Sequence, residues 1–167
     1  MVAIMVVAIL IGTFNTSKYA TAGEIGRDGR FIAYDNGTVL DERTNLMWAA
    51  EDNGKHINWA EAKSYCENFR GGGYIDWRMP TLYELTELYD KNKVYYNYVD
   101  GKKTLEVHLT GLICLTSWYV WALQRRGSHA VVFNFYDGGD QGRWVIWAPQ
   151  SHAASYRALP VRSIICK

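Results

Sequence analysis

The chain has 167 residues, enough for one domain with a single substantial core, and its 49% apolar against 21% charged residues exclude a disordered chain. Its formal net charge is +1; taking away residues 1–22 removes Lys18 and no acid, leaving 17 basic against 17 acidic residues. No global basic field therefore argues for nucleic acid as a partner.

Seven Trp and twelve Tyr are many for this length. Buried rings are their ordinary use, and an exposed aromatic platform is the alternative.

Residues 1–11 form an apolar run too short to span a bilayer comfortably. Ala20, Thr21 and Ala22 follow as a small-x-small cleavage pattern before Gly23. Residues 1–22 are therefore expected to be a secretory signal peptide, and residues 23–167 a single domain working in the periplasm, at the cell surface or in the medium. No Lys or Arg precedes the apolar run, which departs from that pattern and keeps an uncleaved N-terminal anchor as the alternative.

From residue 30 to residue 50 the pattern is strand, turn, strand, turn, strand. Residues 31–34 lead into Asp35-Asn36-Gly37-Thr38, where Asn-Gly is a strong hairpin signal. Val39 and Leu40 follow, then a polar turn over 41–45 and a strand over 46–49. Residues 51–57 read as a polar loop. Asn58 is placed to cap a first helix, and Glu61, three residues on, completes a capping box. Ala62, Tyr65, Cys66 and Phe69 recur at helical spacing, and Gly71, Gly72 and Gly73 are expected to stop the helix. After the hinge Trp77-Arg78-Met79-Pro80, Thr81 and Glu84 form a second box. It opens a helix whose buried stripe is Leu82, Leu85, Leu88 and Tyr89.

Residues 91–110 are charged and aromatic without a clean period, and read as a long surface loop with a short hairpin as an option around Asp100-Gly101. The remainder is β-rich: one or two strands over 112–123, one over 130–136, a turn at Asp137-Gly138-Gly139-Asp140, then strands over 143–147 and 159–166. Strands, two helices, then strands predict an α+β domain.

Cys66, Cys114 and Cys166 are an odd number for an exported chain. Export allows a bridge between Cys66 and Cys166, which would tie the last strand to the first helix. It would close a loop of about 100 residues, worth roughly 4 to 5 kcal/mol in the chain-entropy model. Cys114 then reads as a buried thiol, with pairing between chains as the rival.

One ordered set of motifs runs through the chain. It comprises Asn36-Gly37-Thr38-Val39 with Asp41, Thr44, Leu46 and Trp48; Trp59-Ala60-x-Ala62 with Tyr65-Cys66; Gly72-Gly73; Asp76-Trp77-Arg78-Met79-Pro80-Thr81; and Glu84-Leu85. With Thr116-Ser117, the strand end over 132–138 and Pro160-Val161-Arg162, the set covers about residues 29–167. It resembles the family of the C-terminal domain of the Legionella collagen-like protein, a bacterial extracytoplasmic family long catalogued as a domain of unknown function. That family is similar to C-type-lectin-like domains. The resemblance thus implies a C-type-lectin-like fold, with a mixed, twisted antiparallel sheet, two helices and a long loop region. It also implies that Cys66 pairs with Cys166. Members are typically exported binding or adhesion modules, and the namesake binds sulfated glycosaminoglycans. No catalytic residue carries over, so the chain is expected not to be an enzyme.

Asp76-Trp77-Arg78 reads better as frame than as site: Trp77 fills core, Arg78 pairs with a carboxylate such as Asp76, and Met79-Pro80 set the entry to the second helix. Arg157 and Arg162, beside Leu159-Pro160, are expected to be framework as well. Sugar-binding C-type lectins resemble one another in a Glu-Pro-Asn or Gln-Pro-Asp loop and a later Trp-Asn-Asp. Trp147-Ala148-Pro149-Gln150 is the nearest stretch here and lacks the second oxygen ligand. Calcium takes six to eight oxygens, of which Asp137 and Asp140 supply at most part, so they read as a solvated turn. His56, His108, His129 and His152 match no zinc spacing, and Ser151-His152 carries no weight as a catalytic pair. No metal or cofactor is expected. An oxidising enzyme of the formylglycine-generating type, whose fold is related, needs a cysteine pair; a Cys66–Cys166 bridge leaves Cys114 without a partner.

A binding surface remains. Gln124-Arg125-Arg126-Gly127-Ser128-His129 reads as a basic loop between strands, with Gln141-Gly142-Arg143-Trp144 close by. Arginine forks suit sulfate or carboxylate, and Trp144, Trp147 or Tyr136 can stack on a sugar ring. A solvated hairpin tip is the equal alternative for Arg125 and Arg126, and Lys102 and Lys103 are a weaker basic candidate. The expected ligand is a glycan, best an acidic or sulfated polysaccharide, or a cell-surface or matrix protein, held by Arg125, Arg126, Arg143, Trp144, Trp147 and Tyr136. A structural subunit of a cell-surface assembly or filament is the alternative of a different class.

Overall fold

A computed structural model describes residues 22–99, 102–138 and 146–164. In it the polar turns and short apolar runs of the first half fold into a meander. β1 (Glu24–Asp28), β2 (Phe31–Tyr34), β3 (Thr38–Asp41) and β4 (Leu46–Ala49) pair antiparallel in sequence order. Gly37 turns the β2–β3 hairpin at φ +76°, a left-handed conformation open to glycine at no steric cost. β1 is the one strand of this meander that the residue pattern does not announce, because it is charged and has no buried face to read.

The chain continues through α1 (Trp59–Asn68), a 3₁₀ turn (Gly71–Gly73) and α2 (Leu82–Leu88). Both capping boxes form. Asn58 Oδ1 accepts the Glu61 N–H at 3.0 Å, Thr81 Oγ1 accepts the Glu84 N–H at 3.2 Å, and each carboxylate reaches back to the N–H of its cap residue. The expected glycine stop of α1 is corrected: Phe69 already leaves the helix in an extended conformation. Gly72 and Gly73, at φ +64° and +78°, build the turn that follows it.

Of residues 91–110, those described take the hairpin option. They hold the antiparallel hairpin β5 (Tyr95–Val99) and β6 (Lys102–Val107), so Lys102 and Lys103 sit in a strand. Val107 and Leu109 lie in the main core, and Asn97 is buried. Such sparse apolar positions give no readable period.

β7 (Tyr119–Arg126), β8 (His129–Asn134), β9 (Ile146–Pro149), β10 (Tyr156–Arg157) and β11 (Val161–Ser163) follow among the described residues. The first sheet runs β1-β2-β3-β4-β11, and the second β10-β7-β8-β9 with β10 parallel to β7. Two helices with mixed and antiparallel sheets make this an α+β domain. Among the described residues no helix is long and apolar enough to cross a membrane.

The centre of the second sheet, around residues 120–122 and 130–133, is buried on both faces. Val131 and Phe133 of β8 join Val120 and Ala122 of β7, Leu85 and Leu88 of α2 and Trp48 of β4 in the main core. Ala130 and Val132 face the other way, toward Trp59, Ala62 and Cys66 of α1. Burial on both sides explains why β8 reads as a continuous apolar run without alternation. Two indoles lock α1 to β7: Trp59 Nε1 donates to the Ala122 carbonyl and Trp121 Nε1 to the Ile57 carbonyl, both at 2.9 Å.

The hinge before α2 is frame, but its ion pairs differ from the expected one. Arg78 forks onto Glu84 at 2.6 and 2.8 Å, and Asp76 takes Arg162 at 2.6 and 3.0 Å. Trp77 is buried and donates to the Gly71 carbonyl at 3.0 Å. Arg157 Nε donates to Thr116 Oγ1 at 2.6 Å, and Thr116 in turn donates its N–H to Asp52 at 2.6 Å. Cys66 is fully buried between α1 and the second sheet; its expected partner Cys166 lies outside the described residues.

Candidate functional site

β7 and β8 are joined by just Gly127 and Ser128, with Arg126 directly opposite His129. Arg125 and Arg126 therefore belong to a strand rather than to a basic loop. Successive strand residues face opposite ways, and this separates the two arginines. Arg125, opposite Ala130, turns toward α1 and places its guanidinium 5.3 Å from the centre of the Trp59 ring. Arg126 and His129 share the other face, as does Trp147 of β9, which pairs with Val131 two residues along β8 from His129.

Arg126, Gly127, Ser128, His129 and Trp147 line an open groove of about 460 Å³. No carboxylate is among them. Trp147 is 48% exposed, so its indole is available to a ligand. The turn is held from β9: the Gln150 N–H donates to the Ser128 carbonyl at 2.9 Å, and Gln150 Nε2 donates to the Gly127 carbonyl at 2.7 Å. Ser128 Oγ lies 3.2 Å from His129 Nδ1.

The other expected site residues go elsewhere. Gln124 Oε1 accepts the Leu82 N–H at 2.8 Å, satisfying an open donor at the start of α2. Three residues of β7, between Trp121 and Arg125, oppose the single Val131, and this widening lets Gln124 reach the helix. Tyr136 lies past the far end of β8, separated from His129 by roughly 17 Å of extended strand. Its ring packs 5.7 Å from that of Trp118, which is 37% exposed and donates its Nε1 proton to the Glu106 carbonyl at 3.0 Å. Arg143, Trp144 and Asp140 lie outside the described residues.

Ser128 and His129, expected within a basic loop, join the groove because the two-residue turn sets His129 directly opposite Arg126. The signal that was available is Gly127-Ser128 between two β-prone runs, a two-residue hairpin pattern.

A second cleft, of about 320 Å³, is lined by Gly37, Ala50, Glu51, Asp52, Tyr65 and Phe69. Its buried Asp52 is saturated from within by the N–H groups of Gly54 at 2.7 Å and Thr116 at 2.6 Å and by the Thr116 hydroxyl at 2.8 Å. Beside it, burial and the Asp52 and Glu51 charges push the Cys114 thiol up, and burial pushes the Cys66 thiol up strongly. Both surroundings favour thiol over thiolate. Among the described residues no group of three or more His, Cys, Asp or Glu is placed to hold a metal ion.

Residues 37–162 match the Lcl C-terminal domain family, about three quarters of the chain. The chain belongs to that family. No curated protein matches the sequence. The matched span of the Lcl C-terminal domain holds both capping boxes, the Arg78–Glu84 fork and all five groove residues. The frame and the groove are thus both parts of this domain, with the groove at the hairpin the frame projects.

Proposed function

We propose that this Lcl C-terminal domain is an exported, non-catalytic recognition or adhesion domain on a C-type-lectin-like frame, and that its β7–β8 groove holds an acidic polysaccharide. The observation that carries the reading is the groove itself, where a guanidinium, an imidazole and a half-exposed indole share one face with no carboxylate among the described lining residues. A guanidinium presents donors in a fork that matches sulfate or carboxylate. An exposed indole next to it offers a flat apolar surface for the carbon face of a sugar ring. Retention on a heparin column at low salt tests it. The double variant R126A/W147A should elute earlier than the unaltered protein, and unchanged elution would remove the groove from the account.

A second reading is packing as a subunit of a cell-surface assembly. It is favoured by the exposed Trp118–Tyr136 pair at the other end of β8. Sedimentation across a concentration series separates the two: self-association abolished by W118A/Y136A would favour it, and a monomer throughout would count against it.

A further inference from the structure

We infer that His129 is a second anion-binding residue of this groove and that its charge makes the hold on a sulfated ligand tighten as the pH falls. The inference rests on the polysaccharide reading of the groove given above.

Arg126 and His129 are direct cross-strand partners, so their side chains leave the sheet about 5 Å apart on one face. Trp147 is the diagonal neighbour of His129 across the β8–β9 pair, roughly 7 to 8 Å away. A sugar ring lying on the indole can therefore place an anionic substituent between guanidinium and imidazole. His129 is exposed, and the Ser128 hydroxyl beside Nδ1 leaves Nε2 to face the ligand.

Imidazole is the side chain that ordinarily changes charge between pH 5 and 8. The groups facing His129 among the described residues fix the sign. From β7 it meets Arg126, a permanent cation; from β9 it meets Pro149 and the neutral Gln150; Arg125 points to the opposite face. No carboxylate lines the groove among the described residues. A sulfate bound between guanidinium and imidazole favours the charged imidazole, so affinity rises as pH falls and then levels off.

The test uses immobilised dextran sulfate, whose charge is constant over this range, with the purified full chain at fixed ionic strength. The unaltered protein should bind about three- to fivefold more tightly at pH 5.5 than at pH 8.0, the span of one exposed charge interaction. H129Q should bind with one affinity at both pH values, and H152Q should keep the full pH dependence. Thermal melts matching the unaltered protein show that the H129Q hairpin is folded. An unaltered protein with no pH dependence, or H129Q with the dependence intact, would overturn the role of His129. If R126A/W147A loses binding in the same assay, the groove reading stands without it. If R126A/W147A binds as the unaltered protein does, or if the unaltered protein does not bind dextran sulfate, the groove reading itself falls and takes this inference with it.

Discussion

Glu84 answers to two partners at once. Its Oε2 accepts the Thr81 N–H at 2.8 Å, and the Arg78 guanidinium forks onto both carboxylate oxygens at 2.6 and 2.8 Å. Arg78 is also bridged to Val161 of the last strand through its backbone. One carboxylate thus ties the start of α2 to the hinge and, through Arg78, to the edge of the first sheet. A lysine cannot reproduce a two-pronged contact of this kind. Arg78→Ala should destabilise the domain by about 1 to 3 kcal/mol, and Arg78→Lys should recover little of it. Urea unfolding measures both; recovery of full stability by lysine would show that charge alone matters here.

The same carboxylates make stability depend on acid. Burial opposes ionisation of Glu84, yet the Arg78 guanidinium and the Thr81 N–H outweigh it and hold its carboxyl below the usual range. The Arg162 guanidinium does the same for Asp76, and Lys93 for Asp28. A carboxyl lowered in the native state contributes stability that is fully present above its unfolded value, near pH 4, and is lost as pH falls through the lowered native value. Melting temperature should therefore decline steeply below about pH 4. The double variant E84Q/D76N should be less stable at pH 7 and show a shallower decline; an equal slope would assign the acid sensitivity to other groups.

Two adjacent arginines should behave differently. Arg125 lies over Trp59 and is worth about 0.5 to 1 kcal/mol of stability there, whereas Arg126 opens into the groove. Arg125→Ala is expected to lower the melting temperature slightly and leave retention on heparin nearly unchanged. Arg126→Ala is expected to do the reverse. Equal effects on retention would point to general surface charge rather than to a site.

Cys66 sits in a sealed apolar cluster with Trp59, Ala62 and Trp121, where an unpaired thiol and a bridged sulfur are equally free of water. The family resemblance implies the bridge to Cys166. Peptide mapping of the oxidised protein should then yield Cys66 joined to Cys166, with Cys114 alkylated alone. Cys66→Ala should cost about 2 to 5 kcal/mol under oxidising conditions and clearly less in reductant. A Cys66–Cys114 peptide as the main product would contradict this.

The parts of the fold that depend on near neighbours were legible. Asn58 with Glu61 and Thr81 with Glu84 act across three residues, so both helix starts could be read directly, as could the Asn36-Gly37 turn. Partners far apart in sequence were not. Asp76 and Arg78 lie two residues apart, but Asp76 bonds Arg162, supplied by the returning last strand. β10 has two residues and makes sense only beside β7, and β1 shows no apolar face. The candidate site divides along the same line. Arg126 and Trp147 were named from chemistry and do meet in one groove, but the strand register sends Arg125 to α1, Gln124 to α2 and Tyr136 to Trp118. The faces of Arg125 and Arg126 follow from strand alternation once the Gly127-Ser128 turn sets the register, whereas the widening of β7 that shifts the pairing beyond Arg125 is announced by no residue type.

The most direct measurement is a two-dimensional ¹H–¹⁵N spectrum of the labelled domain titrated with a sulfated oligosaccharide. Backbone amides of Arg126, Gly127, Ser128 and His129 and the indole N–H of Trp147 should shift in concert and saturate, while that of Trp118 stays in place. Shifts centred on Trp118 and Tyr136, or none at all at the β7–β8 turn, would contradict the account.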